Sequence, residues 1–370
     1  MVWISLINPL SSVHWNVFFL ASFPSPPSVM KKFTPLMVFL FILSSAFAVE
    51  ERQPHTLGAE RDAAVRLQIF LDEKLFGPGF IDGKPGTFTK RAIAAYNRSL
   101  GRPEDDIVTL QQEADLSVRH TYVAAVVPDD ASRFVDHSLS YKREAQAEER
   151  TLGYRSYYEY MAERYHTSED VLYELNGQKT TWEISPGRPL IVPNVSPFRI
   201  EDIKPGRMYN ADENGLSERK VIIDTVEKQV QIYQAADVTL VSNGDVAIQQ
   251  TSEPLYHLVA SFPTTPGQER YIHRGTWTLK NTVEWPTWRY DKKMLKEGKR
   301  GKEALNIPGG PNNPVGVVWA GLSKSGIGIH GTDSPRTIGR ARSSGCYRLA
   351  NWDAARLPGL IRPGATVIVK

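Results

Sequence analysis

Gly328-Ile329-His330-Gly331-Thr332, followed after a turn-rich interval by Ile338-Gly339-Arg340-Ala341-Arg342-Ser343-Ser344-Gly345-Cys346-Tyr347-Arg348-Leu349, is the stretch on which the reading of this chain turns. Cys346 is the only cysteine in 370 residues. A thiol attacks a carbonyl as its thiolate, and a nearby imidazole can take the proton. His330 precedes Cys346 by 16 positions, enough chain for a strand end, a loop and a return. A glycine directly before the nucleophile lets backbone amides approach a substrate, and two such N–H groups can hold a tetrahedral oxyanion. An activated nucleophile of this kind is expected to have a low pKa and to be alkylated quickly at neutral pH. Two other readings of the same residues exist. Cys346 is a small buried apolar group in one. In the other it joins His330 and Asp333 around zinc, but no second Cys or His stands at ligand spacing, so no metal is expected.

Outward from this stretch the texture is that of strands. Residues 221–225 and 229–233 are short β-rich runs parted by the polar turn Val226-Glu227-Lys228. Further strands are expected at 258–262, 276–279, 317–320, 328–330 and 365–369, which makes a mostly β domain of about 150 residues.

This domain, residues 219–370, resembles the L,D-transpeptidase catalytic domain, whose motif is His-Gly-Thr followed by Ser-His-Gly-Cys and a near arginine. Phe262-Pro263 with Thr264 and Gly267 is similar to the family's substrate-side strand. Gly309-Gly310-Pro311-Asn312-Asn313-Pro314-Val315-Gly316 is similar to its Asn-Pro-Leu-Gly segment, and Gly364-Ala365-Thr366-Val367 to its last strand. The resemblance implies Cys346 as nucleophile and His330 as general base, with Gly331 orienting His330 through its carbonyl. It implies oxyanion amides at Gly345 and Cys346, and substrate contacts from Arg348, Ser343 and Arg340. Ser344 stands where the family usually has a second histidine, a departure that bears on rate and acceptor choice. The implied reaction opens the L-to-D bond of a tetrapeptide stem between diaminopimelate and terminal D-Ala. The thioester then passes to an amine, giving a 3→3 cross-link or an anchored protein; water would make the enzyme an L,D-carboxypeptidase. No cofactor is implied.

Two smaller units precede this domain. Leu67, Phe70, Leu71 and Leu75 fall near one helical face, Gly77-Pro78-Gly79 breaks the helix, and Ala92, Ile93 and Tyr96 lie on one side of a second. The order Leu67-Gln68, Ile81-Asp82-Gly83, Gly86, Thr89, Ala92-Ile93 and Tyr96 resembles the small helical peptidoglycan-binding domain over about 40 residues, with Asn97 where that family often has glutamine. Residues 103–150 read poorly beyond a strand at 123–127. Residues 157–165 read as a helix, Thr167 and Asp170 as a capping box for a second, and Asn176-Gly177 as its end. A turn and strand follow at 184–194. With Ala162-Glu163-Arg164-Tyr165, Leu175-Asn176, Pro186-Gly187 and Ile191-Val192-Pro193, this resembles a lysin-motif module, a βααβ unit that binds peptidoglycan or chitin glycan. The module's usual first strand, with its Gly-Asp-Thr turn, is missing.

The expected architecture is thus α+β and multidomain: a signal at 1–48, a helical peptidoglycan-binding-like domain at 49–135, a lysin-motif-like unit at 136–200, a linker at 201–218 and the catalytic domain at 219–370. Met30-Lys31-Lys32, the apolar run 36–43 and Ala46-Phe47-Ala48 follow the order of a secretory signal, with Met30 as a candidate true start. The expected location is the periplasm or cell envelope, and the expected partner is peptidoglycan, with a wall-anchored protein as a further acceptor. The formal charge is +3, and Lys31 and Lys32 are the only charged side chains in residues 1–48. The basic balance is therefore no argument for nucleic acid. The rival from another class is a non-catalytic wall-binding protein.

Overall fold

The computed structural model describes residues 56–209, 215–236, 255–297, 299–340 and 345–370. The signal at 1–48, Ser343 and Ser344 lie outside the described residues. Among the described residues no helix is long and apolar enough to cross a membrane.

Helices α1 (Ala59–Glu73), α2 (Thr87–Ser99) and α3 (Ile107–Ser117) close on a core that includes Val65, Ile69, Ala92, Leu110 and Ala114. The first two follow the expected apolar faces. The third falls in the stretch that reads poorly, because Ile107, Val108 and Leu116 are exposed and only Leu110 and Ala114 are buried. Its N-terminus is set by Asp106, whose carboxylate accepts from the Thr109 amide at 3.0 Å. Gln68 explains the loop motif between α1 and α2. Its carbonyl accepts from the amides of Asp82 (3.0 Å) and Gly83 (2.9 Å), and its amide donates to Thr89 (3.2 Å).

In the next unit β1 (Tyr122–Val126) pairs antiparallel with β2 (Pro189–Pro193), and α4 (Arg143–Gln146), α5 (Tyr157–Arg164) and α6 (Glu169–Trp182) lie between them in the chain. The strand pairing therefore reaches across the expected boundary at 135/136. One local expectation is corrected. Ser168, not Thr167, caps α6, accepting from Val171 at 3.3 Å, because the Thr167 hydroxyl donates to the Ile81 carbonyl of the helical unit at 2.6 Å. The expected end at Asn176-Gly177 is where the helix breaks: Gly177 has φ 73 and ψ 168, and a second helical segment follows it to Trp182. Asn176 just before the kink ties the helix to β2, bonding both Ile191 N (2.7 Å) and Ile191 O (2.9 Å).

The remaining elements are β3 (Met208–Tyr209), β4 (Lys220–Asp224), β5 (Gln229–Ala235), β6 (Tyr256–Pro263), β7 (Gly275–Glu284), β8 (Trp288–Tyr290), α7 (Lys292–Glu297), β9 (Leu305–Ile307), β10 (Val318–Leu322), β11 (Gly328–His330), β12 (Tyr347–Arg348), α8 (Asn351–Ala354) and β13 (Thr366–Val369). The sheet runs β12-β11-β10-β7-β13-β4-β5-β6, with β3 added against β7, while β8 and β9 form a separate pair. Two neighbours are parallel, β11 with β12 and β13 with β4. Val221 and Ile223 are buried on alternate positions of β4, as a strand with one face in a core requires. An antiparallel bridge between Thr265 and Arg348 joins the chain just after β6 to β12, so the first and last strands of the order meet. That closure seam lies two residues from Cys346.

The three units are packed through a buried ionic cluster. Asp72 of α1 accepts from Arg356 at 2.6 and 3.2 Å and lies 3.0 Å from His166 Nδ1. His166 stacks on Trp352 of α8, with centroids 5.4 Å apart at 13°. Burial opposes ionisation of Asp72, yet Arg356 and His166 hold its carboxyl well below the usual range. Removing one member of such a cluster strands the others without solvent, which costs several kcal/mol.

Candidate active site

His330 ends β11, whose three residues are all buried. Antiparallel register sets it opposite Trp319 of β10, and the indole stacks on the imidazole with centroids 5.5 Å apart at 18°. Gly328 makes room for that indole: a Cβ there would stand 2.7 Å from it. On the other side β12 pairs in parallel, Ile329 with Tyr347 and His330 with Arg348. Cys346 is thus the residue by which the chain enters β12, beside the strand that carries His330.

The imidazole has a defined tautomer. His330 Nδ1 is 2.6 Å from the carbonyl oxygen of Gly331. A carbonyl only accepts, so Nδ1 carries the proton and Nε2 keeps its lone pair. Burial pushes the pKa of His330 down to about 4, against the Gly331 hydrogen bond and with the help of the Arg348 charge. The imidazole is therefore neutral at pH 7. Cys346 is half-buried, with Sγ 3.4 Å from the Gly326 carbonyl. Burial pushes its thiol up to about 11, although a Gly328 backbone hydrogen bond and the charge of Arg348 pull the other way. This corrects the expectation of a low thiol pKa. Packed among strands, the thiolate loses more solvation than Arg348 returns, so at rest one strand carries a neutral imidazole and its neighbour is entered through a protonated thiol.

The backbone around Cys346 is held by close glycine packing and by main-chain hydrogen bonds, with one from a threonine hydroxyl. Gly345 has φ +121, and a Cβ on Gly267 would stand 2.6 Å from Gly345 Cα. The Arg348 main chain is fixed by Thr265 in both directions, at 2.9 and 3.1 Å, and by the Thr264 hydroxyl donating to its carbonyl at 3.0 Å. Its side chain is less satisfied. Nε and Nη2 are buried with no hydrogen-bond partner among the described residues, an arrangement that suits a planar anion such as a carboxylate.

Asn351, which sequence reasoning passes over, braces this site from behind. It is fully buried, and its side-chain oxygen accepts from Val317 N and Thr332 N, both at 3.2 Å. The same oxygen would be 2.2 Å from a Cβ on Gly331 and 2.1 Å from one on Gly316, so both glycines are required by its approach. Asn351 lies close enough to Glu163 of α5 to oppose the burial that pushes this carboxyl up to about 8. A residue of the middle unit thus lies near the brace of the loop that follows His330. Asn312 adds a second link, donating to the Gly153 carbonyl at 2.8 Å and to Glu159 at 3.0 Å. The signal that could have found Asn351 is its place three residues after Arg348, at the end of the same motif.

The sequence-predicted residues divide. Cys346, His330, Gly331, Gly345 and Arg348 gather at β11 and β12. Arg340 is exposed and lines a separate cleft with Gly339. Asp333 is drawn to Arg143, 3.7 Å away.

Comparison with known proteins gives partial matches. A protein of Bacillus licheniformis named as an L,D-transpeptidase, YkuD, is 38% identical over 78 residues, which is 21% of this chain and 47% of that protein. Its Bacillus subtilis counterpart is 40% identical over 65 residues, 18% of this chain and 40% of that one. The chain spans less than half the length of these relatives. Among solved structures, a mutant L,D-transpeptidase of Enterococcus faecium covers 41% of this chain and 49% of its own, at 16% identity and TM-score 0.29. L,D-transpeptidase 3 of Mycobacterium tuberculosis, with a faropenem-derived adduct, covers 51% and 76%, at 11% identity and TM-score 0.28. The family model of the L,D-transpeptidase catalytic domain matches residues 218–369.

Proposed function

We propose that this chain is a peptidoglycan L,D-transpeptidase of the cell envelope, with Cys346 as nucleophile and His330 as base. The observation that carries the reading is the orientation of His330. With Nδ1–H spent on Gly331, Nε2 is the atom left to take a proton, and parallel pairing sets its strand beside the one that Cys346 enters. Sγ attacks the carbonyl carbon of the stem's L-to-D bond as its proton passes to Nε2. The oxyanion meets the amides of Gly345 and Cys346. Collapse of the tetrahedral centre breaks the C–N bond, and the departing D-Ala amine takes the proton from His330, leaving a thioester. An acceptor amine, from another diaminopimelate or a protein lysine, then gives its proton to Nε2 as it attacks the thioester carbon; collapse breaks the C–S bond, and Sγ takes the proton back from His330. Arg348 pairs with a stem carboxylate, with Ser343 and Arg340 as further substrate contacts and Ser344 as an orienting group.

The antiparallel pairing of β1 and β2 around α5 and α6 supports a lysin-motif-like role for the middle unit, and the Gln68-centred loop supports a peptidoglycan-binding-like role for the helical unit. The secretory order at residues 30–48 supports export. The test is incubation of the purified chain with disaccharide tetrapeptides and mass spectrometry of the products. Release of D-Ala with 3→3 dimers is expected, and neither should form with Cys346→Ala. Trimmed stems alone would make it a carboxypeptidase; unchanged substrate would make it a wall-binding protein.

A further inference from the structure

A cleft of about 570 Å³ lies where the three units meet, a size and a placement common for ligand sites. The loop around Phe80 and Phe88 forms one wall, the start of α6 a second, and residues 335–340 with Trp352 and Asp353 a third. Its lining carries five cations, Lys84, Arg91, Lys228, Arg336 and Arg340, against the three carboxyls of Asp82, Asp170 and Asp353. Arg336 is committed to Asp170 (2.6 Å), Arg91 to Glu227 (2.7 Å) and Lys228 to the Gly339 carbonyl (2.6 Å). Lys84 and Arg340 are exposed and form no ion pair among the described residues. Burial pushes Asp353 up to about 8, so its carboxyl adds little negative charge at neutral pH. The cleft is therefore a cationic one with aromatic walls.

The third wall ends at Arg340, six positions before Cys346 in the chain. Gly339 is clamped there: its amide donates to Thr265 Oγ1 at 2.7 Å, its carbonyl accepts from Lys228, and a Cβ on it would stand 2.3 Å from the Phe88 ring. Five residues of chain lie between Arg340 and Cys346, so their Cα atoms are at most about 22 Å apart, and an extended tetrapeptide covers about 14 Å. We propose that this cleft binds the end of a muropeptide remote from the reacting bond, with Lys84 and Arg340 on the first stem carboxylates and Phe80 and Phe88 against the sugar rings. The proposal rests on the reading of Cys346 as a nucleophile toward peptide stems.

The test is calorimetric titration of full-length Cys346→Ala with a disaccharide tetrapeptide and with the free tetrapeptide. The muropeptide is expected to bind at least about tenfold more tightly, a difference of about 1.4 kcal/mol. Adding Lys84→Glu and Arg340→Glu should weaken muropeptide binding at least about tenfold, with the thermal midpoint unchanged. Equal affinity of the two ligands, or of the two proteins, overturns the proposal. Salt gives a reading that needs no further variant: affinity should fall several-fold between about 50 and 200 mM NaCl, and salt-independent binding also overturns it. Acylation of the wild-type chain is measured separately. Charge-dependent binding without acylation would sink the catalytic reading and keep the cleft; acylation with charge-independent binding would do the reverse.

Discussion

The side-chain oxygen of Asn351 accepts a hydrogen bond from the Thr332 amide at 3.2 Å, two residues beyond His330. It accepts from Val317 at the same distance, and so joins the loop before β10 to the loop after β11. Asn351→Ala leaves two buried amides unsatisfied, at about 1–3 kcal/mol each. It also frees Gly331, whose carbonyl fixes the His330 tautomer. The expected result is lower stability in urea together with a fall in acylation rate larger than any change in KM. A variant that loses stability but acylates normally would separate Asn351 from the base.

Alkylation of Cys346 should be slow at neutral pH. With the thiol pushed up to about 11, the thiolate fraction rises about tenfold per pH unit until that range is reached. Iodoacetamide rates measured from about pH 7 to pH 10 should climb without a plateau. A plateau near pH 8 would mean that the thiol is ionised at rest and that burial does not govern it.

Glu163 gives a stability slope with a definite sign. Its carboxyl is raised from 4.5 to about 8, so between those values the unfolded chain gives up a proton that the folded chain keeps. Stability from this group is complete at low pH and falls as pH rises through that window, by roughly 1.4 kcal/mol for each pH unit crossed. Glu163→Gln removes the slope. Thermal midpoints of the variant relative to wild type should therefore be higher at pH 8 than at pH 5, and a constant difference would contradict the buried, protonated state.

What is legible in the sequence follows from how local each signal is. Gly328 to His330 and Gly345 to Arg348 are short motifs whose chemistry is written in residue type, and the alternation of Val221 and Ile223 is a direct print of a half-buried strand. Helix α3 escapes a sequence reading because its apolar residues face solvent. The cap of α6 falls at Ser168 rather than Thr167 because Thr167 is taken by Ile81, 86 residues earlier in the chain. The raised thiol pKa, the brace at Asn351 and the ionic cluster around Asp72 are long-range facts, visible only once distant segments are packed together.

Gly267→Ala tests the seating of the nucleophile. Its Cβ would stand 2.6 Å from Gly345 Cα and 2.7 Å from Gly345 N, both backbone atoms that cannot rotate away. The loop carrying Cys346 must shift, and displacements of about 1 Å from a near-attack geometry cost about 100-fold. The expected outcome is a folded protein with acylation reduced to that degree. Unchanged acylation would show that the amides near Gly345 have no fixed role.

The base itself makes two predictions that stand together. His330→Ala should lower the rate of thioester formation by about 10²–10⁴-fold, since Nε2 moves a proton and does not hold the polymer; stopped-flow acylation against a tetrapeptide stem, with binding measured in parallel, checks this. The pH profile carries the second. Burial puts His330 at about 4, so the imidazole stays neutral down to that value. The acid limb of kcat/KM for acylation should accordingly lie near pH 4 rather than at the ordinary histidine value of about 6.5. The same lowered pKa costs stability as pH falls: the unfolded histidine gains a proton below about 6.5, the folded one only near 4, so part of the acid denaturation between those values should vanish in His330→Ala. A limb at 6.5 with an unaltered stability slope would place the imidazole in solvent and return the general base to open question.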